Sequence, residues 1–288
     1  MGPRPKVKSR DRGETCAFST SVPCTVLTRR GLAFGVGATM ACSFGGPARA
    51  EFRWPGGARA AVSLTYDDGY DSQLANVPPL LDELGYKATF FLTVENIDAR
   101  VTDWAALSKQ GHEIGNHTLT HPCMLKDFSA GRFVREQIVP AEHYFDTHFE
   151  GAKPRSYAYP CGYEGLGGGT NVARVHEYLE ALSPTFLAAR TVNGPPNDPR
   201  NVLRQRYFLN GYEPTYDIDD RQLALRYVRK AVNDGHWAIL VFHEVVERRR
   251  AAGDTSKAVH REILEGLSGL PVWCAPMRTV FGYITGAA

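Results

Sequence analysis

Two adjacent carboxylates, Asp67 and Asp68, close an apolar run and meet a glycine in Thr65-Tyr66-Asp67-Asp68-Gly69. Further along, His117-Thr118-Leu119-Thr120-His121 sets two imidazoles four positions apart. Asp68, His117 and His121 together offer one oxygen and two nitrogen donors. That set suits a catalytic divalent cation, Zn²⁺ ahead of Co²⁺ or another transition metal, and leaves coordination positions open. Asp67 then stands beside the cation as a spare carboxylate, the minimum equipment of a water-activating hydrolase. Non-haem iron oxygenases use the same donor set. An α/β segment pattern and the second carboxylate argue for the hydrolase.

Each motif is weaker alone. Asp-Asp-Gly is usually a solvated turn, but here it follows Val62-Ser63-Leu64-Thr65, a run that should be buried. Successive side chains on a strand point to opposite sides. A bend at Gly69 lets one carboxylate face a metal and its neighbour the water beside it. Two histidines four apart share one side of a helical turn, or are presented by a short loop. Asn116 and Thr118 stand next to His117, where they can fix ring tautomers.

These residues need elements to position them. Apolar, β-rich runs fall at Ala60–Tyr66, Lys87–Thr93, His112–Asn116, Ser156–Tyr159, Thr185–Val192, Leu203–Leu209, Trp237–Phe242 and Val272–Ala275. Helical periods lie between most of them, at Ser72–Leu84, Trp104–Gln110, Phe128–Phe149 (broken by Pro140), Val172–Leu182, Asp220–Asn233 and Ser256–Leu267. Strand–helix alternation of this kind predicts an α/β fold, a distorted (β/α)7-type barrel in a single domain over 51–288, with an open doubly wound sheet as the alternative. The polar residues favour the barrel. Asp67 and Asp68, His117, Pro160-Cys161-Gly162 and His243 each fall at the C-terminal end of a predicted strand, the rim where barrels assemble their sites.

The 288 residues carry a net charge of +2, with 43% hydrophobic and 22% charged residues. This gives no reason to expect a nucleic acid or an acidic membrane surface as partner. Residues 1–50 read as a leader. Thr28-Arg29-Arg30-Gly31-Leu32-Ala33-Phe34 has the pattern of a twin-arginine export motif, and Ala48-Arg49-Ala50 that of a cleavage site. The apolar stretch between them is too short and Gly-rich for a transmembrane helix. The expectation is therefore an exported protein, periplasmic or extracellular. Cys16, Cys24 and Cys42 lie in the leader, and Cys123, Cys161 and Cys274 in the remainder. If the segments holding Cys123 and Cys161 converge on one site, those two form a disulfide. The alternative is three buried thiols.

Thr65-Tyr66-Asp67-Asp68-Gly69, His117-Thr118-Leu119-Thr120-His121 and Leu240-Val241-Phe242-His243 resemble, in order and spacing, three motifs of the polysaccharide deacetylases (nodulation-protein-B homology, carbohydrate esterase family 4). The resemblance covers nearly all of 58–280. It implies a distorted (β/α)7 barrel, a divalent metal and hydrolysis of N-acetyl groups on amino-sugar glycans. It also implies Asp67 as general base, Asp68, His117 and His121 as metal ligands, His243 as general acid, and Leu240 in the acetyl pocket. Tyr159, Pro160 and Cys161 match the third motif, with the Cys161 N–H as oxyanion donor.

Two departures stand out. The family's arginine before Pro-x-Gly is Ala158 here, and the fourth motif is not visible. Arg204 or Arg206, on a predicted strand, is the candidate replacement charge near Asp67, and Asp198 the candidate partner of His243. Tyr66, Tyr159 and Tyr163 are candidates for stacking on a sugar. The other histidines and Trp237 are assigned to structure. The expected partner is an N-acetylated glycan such as chitooligosaccharide, peptidoglycan or poly-N-acetylglucosamine. An amidase acting on a non-sugar amide and a non-catalytic glycan-binding relative are the alternatives.

Overall fold

A computed structural model describes residues 52–123, 128–162 and 172–286. The leader with its twin-arginine motif, its three cysteines and Tyr163 lie outside the described residues. The longest strand, β1 (Ala60–Asp68), is buried along its whole length, as expected of a parallel strand covered on both faces. Its alternation sorts two cores. Ala60, Val62, Leu64 and Tyr66 face outward and pack with Val228, Ile263 and Leu264 of the surrounding helices. Ala61 faces inward with Phe91, Ala158, Ala188, Trp237 and Ile239, which fill the interior.

Around β1 the sheet runs through β2 (Thr89–Leu92), β3 (Glu113–Asn116), β4 (Ser156–Ala158), β5 (Ala188–Thr191) and β6 (Leu209–Asn210), all parallel. On the other side of β1 lies β7 (Trp237–Phe242), also parallel. A single residue closes the ring between β6 and β7: Tyr212 donates its N–H to Ile239 and accepts from Val241, both at 2.9 Å. The result is the expected seven-stranded, distorted barrel rather than the open sheet. β8 (Val245–Val246) and β9 (Thr255–Ser256) form a separate parallel pair. β10 (Val272–Cys274) lies against the first three residues of β1.

Several local expectations are corrected. The run Leu203–Leu209 is not a strand; residues 201–207 are turns and only Leu209–Asn210 pairs. Asp198 holds that segment in turns by accepting from the Arg200 N–H and the Asn201 amide, which outweighs the alternating pattern. Ser72–Leu84 is two helices, Asp71–Asn76 and Pro78–Glu83, since Pro78 and Pro79 have no N–H to continue the helical hydrogen-bond ladder. Pro140 breaks nothing. A π turn over Val134–Ile138 precedes it and leads directly into the helix Val139–His148, accommodating the missing N–H. The helix Met277–Thr285 escaped the periodicity reading; its Met277, Val280 and Phe281 pack on the interior cluster. Near it, half-buried Glu113 accepts from Thr89 Oγ1, Ser156 Oγ and the Arg278 N–H, joining β2, β3 and β4 to that helix. No helix among the described residues is long and apolar enough to cross a membrane.

Gly69, at φ +81, is required twice over, because a Cβ there would sit 2.4 Å from Ile97 Cγ2. Gly69→Ala should lower the unfolding free energy by about 2–4 kcal/mol, adding the left-handed backbone cost to overpacking. Gly85→Ala, at φ +69 with nothing within 4 Å, should cost only the backbone part, about 1–2 kcal/mol. Urea titrations of the two variants measure the difference.

Candidate active site

The inward face of β1 runs Ala61, Ser63, Thr65 and then Asp67, so period-two alternation delivers Asp67 to the barrel mouth. Alternation alone would turn Asp68 outward. It does not, because the chain bends at Asp68 itself, at φ 79, one residue before Gly69. Asp and Asn tolerate this region better than other side chains. Both carboxylates thus open onto one cleft, at 3% and 6% exposure. The Asp68 carbonyl is held from behind by the Asn96 amide at 3.0 Å.

His117 follows β3 directly. Its Nδ1 donates to the Ala158 carbonyl at 2.9 Å, which fixes the tautomer and leaves Nε2 with a lone pair towards the cleft. Thr118, at φ 77, turns the chain. A β-branched residue in that region is an outlier, and the Asn116 side chain sustains it by accepting the Thr118 N–H at 2.6 Å. Asn116 therefore shapes the loop rather than the ring tautomer. The Thr118 hydroxyl accepts the His121 N–H at 3.0 Å, and His121 also has positive φ. The histidines are thus presented by a loop, not by a helical turn. His117 Nε2 and His121 Nε2 lie 3.5 and 3.3 Å from the same oxygen, Asp68 Oδ1. One ligand atom from each of the three residues falls within 4.8 Å of the others. The donor types, the anchored tautomer and this convergence fit a divalent cation of zinc type.

The electrostatics follow from burial and neighbours. Burial pushes the Asp68 carboxyl up, but its hydrogen bond to His117 and the charges of His117, His243 and His121 hold it well below the usual range. Burial and the neighbouring His117 lower His121. Burial, together with the charge of Asp68, pushes the Tyr70 hydroxyl up to about 12, so it remains a donor beside that carboxylate.

Two residues of the site went unforeseen in the sequence. Arg190, on β5, is fully buried, and its Nη2 pairs with Asp67 Oδ1. Its guanidinium lies 4.9 Å over the Phe91 ring. Arg190 is paired with Ala158 across the β4–β5 ladder, so the positive charge sits one strand over, level with the position where it was missed. An arginine inside the small-residue strand Ala188-Ala189-Arg190-Thr191 was the available signal, since buried arginines need partners. The second is Glu213, whose Oε1 is 3.6 Å from His243 Nε2. Burial raises its carboxyl, and His243 offsets part of that rise. No pattern around Glu213 marks it.

The candidates these replace lie elsewhere. Arg206 stacks over the Tyr207 ring, Arg204 pairs with Asn201, and Asp198 is engaged by Arg200. Leu240 faces outward into the core with Leu64. The alternation that carries Trp237 and Ile239 inward carries Val241, not Leu240, towards the site.

The cleft has a volume of about 820 Å³, and its walls include Asp67, Asp68, His117, His121, His243 and Glu213. Tyr159 and Cys161 also line it, whereas Pro160 is buried behind them. The Tyr159 hydroxyl is committed to the Tyr207 carbonyl at 3.0 Å. Tyr66 is core, bonded to His260 at 2.8 Å, so it is no stacking platform. Tyr70 and Tyr216, on the rim, are the exposed aromatic rings. Trp237 is buried, with its indole N–H donated to Ser63. Cys123 and Cys161 form a disulfide with Cα atoms 5.3 Å apart, tying the His121 loop to the turn after β4. Burial pushes Cys274, the free thiol among the described residues, up to about 12.

Residues 47–177 match the family model for polysaccharide deacetylase. A peptidoglycan-N-acetylglucosamine deacetylase of Bacillus cereus is 42% identical over 71 residues, which is 24% of this chain and 25% of that protein. The chain thus spans about a quarter of that relative's length. Among solved structures, a candidate polysaccharide deacetylase from Mycobacterium smegmatis superposes with a TM-score of 0.57 at 16% identity, covering 82% of this chain and 93% of the other. The peptidoglycan deacetylase PdaC from Bacillus subtilis gives 0.51 at 18% identity, covering 79% and 92%. The solved structures share the barrel described above, and the segment that carries both carboxylates and both histidines is similar to the polysaccharide deacetylase family.

Proposed function

We propose that this chain is a metal-dependent hydrolase that removes N-acetyl groups from amino-sugar glycans. The observation that carries the reading is a second buried carboxylate, Asp67, adjacent in sequence to Asp68 and 3.9 Å from His117 Nε2, with a cationic partner of its own in Arg190. A non-catalytic binder has no use for that arrangement. Asp68, His117 and His121 would hold the cation, Zn²⁺ or Co²⁺ being suited to the donor set. Such an ion, when bound, polarises the amide carbonyl and makes water a better nucleophile.

The chain's own residues supply the remaining steps. Asp67 accepts a proton from the attacking water, and Arg190, paired with its other oxygen, orients it in the cleft. The N–H of Cys161, a residue of the cleft wall, would donate to the oxyanion that develops on the carbonyl. His243 delivers a proton to the departing amine, held by Glu213 on its Nε2 side. Tyr70 and Tyr216 offer rings on which a sugar can lie. The B. cereus and B. subtilis relatives named for peptidoglycan make that polymer the first substrate to try, with chitooligosaccharide and poly-N-acetylglucosamine beside it. We further propose that residues 1–50 direct export by the twin-arginine route ahead of a barrel domain beginning at 51, which suits a chain with a disulfide at its site. Mass spectrometry of the exported protein should find its N-terminus at Glu51.

Acetate release from the three glycans with added Zn²⁺ or Co²⁺ tests the activity; saturable binding without acetate would identify a binder, and turnover of a non-sugar amide alone an amidase. His117→Ala should lose both bound metal, measured by elemental analysis, and acetate release. Turnover that survives this change and chelation would refute the metal's role. Asp67→Asn and His243→Gln should keep the metal yet lower kcat by about 10²–10⁴-fold, the range of a positioned acid or base. Arg190→Met strands Asp67 without its partner. It should destabilise the fold by about 3–5 kcal/mol, as when one member of a buried pair is removed, a loss that denaturant titration reads directly.

A further inference from the structure

The ladder between β1 and β7 ends at Tyr66 and Phe242. The next residue on each strand is Asp67 on one side and His243 on the other. Past the last rung, a side chain joins the two strand ends. Gln73, in the helix Asp71–Asn76, is fully buried. Its Nε2 donates to the Asp67 carbonyl at 2.5 Å and to the His243 carbonyl at 3.0 Å. Because both partners only accept, the amide can face them only with its NH₂ group. Gln73 Oε1 is left buried with no partner, at a cost of about 1–3 kcal/mol. An apolar side chain of the same size would escape that cost but could not bridge two carbonyls. The arrangement is therefore poor as packing and effective as a tie. Asn96 holds the Asp68 carbonyl without reaching β7, so coupling of the two strand ends falls to Gln73.

We propose that Gln73 is a positioning residue that fixes the separation and orientation of Asp67 and His243, the groups that take up and deliver the proton. The proposal rests on the roles given to those two residues above. Proton transfer at both ends of one amide bond demands that both groups address the same substrate pose, and a misplacement of about 1 Å costs on the order of 100-fold.

The test compares wild type with Q73M, which keeps the volume and loses both donors, and Q73E, which keeps the shape and as a carboxylate presents only acceptors. Each zinc-loaded variant is assayed for acetate release from chitooligosaccharide. Its His243 ring resonance is followed by ¹⁵N NMR without substrate, assigned by its loss in H243Q. In both variants kcat should fall about 10–100-fold, with KM and bound metal within about twofold of wild type. The His243 signal, single in wild type, should broaden or split. A folded variant with wild-type kcat and an unchanged His243 signal overturns the proposal, whatever happens to its melting temperature. Should one variant fail to fold, the other decides. If wild type itself releases no acetate, the functional reading has failed, and the substrate-free His243 signal still shows whether Gln73 fixes that ring.

Discussion

β1 carries two neighbouring carboxylates into a mouth where each is almost wholly shielded from water, and two such charges cannot both persist unless each has its own positive partner. The barrel meets this by dividing the partners. Arg190 reaches Asp67 from β5, while His117 and His121 converge on one oxygen of Asp68, where a cation held by the three would supply the charge. Two carboxylates sharing a single partner would instead share a proton and lose the distinction between them. Separate partners let one act as ligand and leave its neighbour free to take up a proton, and the proposed chemistry depends on that division.

The backbone accepts strain to make the division possible. Asp68, Thr118, His121 and Cys161 all have positive φ, and all four lie at the mouth. Residues held this way cost on the order of 1–3 kcal/mol each and persist only where their surroundings over-determine them. Here the surroundings do so. Asn116 holds Thr118, Thr118 holds His121, and Gln137 accepts both the N–H and the hydroxyl of Thr120. The Cys123–Cys161 disulfide joins this loop to the turn after β4. A short, fully bonded loop thus does the presenting that a helical turn would otherwise do.

The arginine shows how a site tolerates a change of address. A guanidinium need only reach Asp67; it need not come from a particular strand. At the position where the family pattern has arginine, this chain has Ala158, a small residue in the interior cluster, and Arg190 stands opposite it on the next strand. A small side chain on β4 leaves room for the long one from β5, which crosses the interior over Phe91. Glu213 fills a comparable place beside His243, from the segment that closes the barrel.

Asp67, Asp68, His117 and His243 were legible in the sequence because each falls at the end of a strand marked by its apolar run, and His121 because it stands four positions after His117. The barrel was legible for the same reason, through the regular return of such strands. The Cys123–Cys161 bond followed from the expectation that two motifs meet. Arg190, Glu213 and Gln73 were not legible, since their partners stand 123, 30 and 170 residues away along the chain and no local period records a contact across the barrel. The turn over 201–207 was misread because side chains of Asp198 and Asn201 overrode an alternating pattern. Sequence therefore determined which groups reach the mouth. Tertiary structure decided which charge neutralises which, because pairing depends on distances through space that only the closed ring of strands sets.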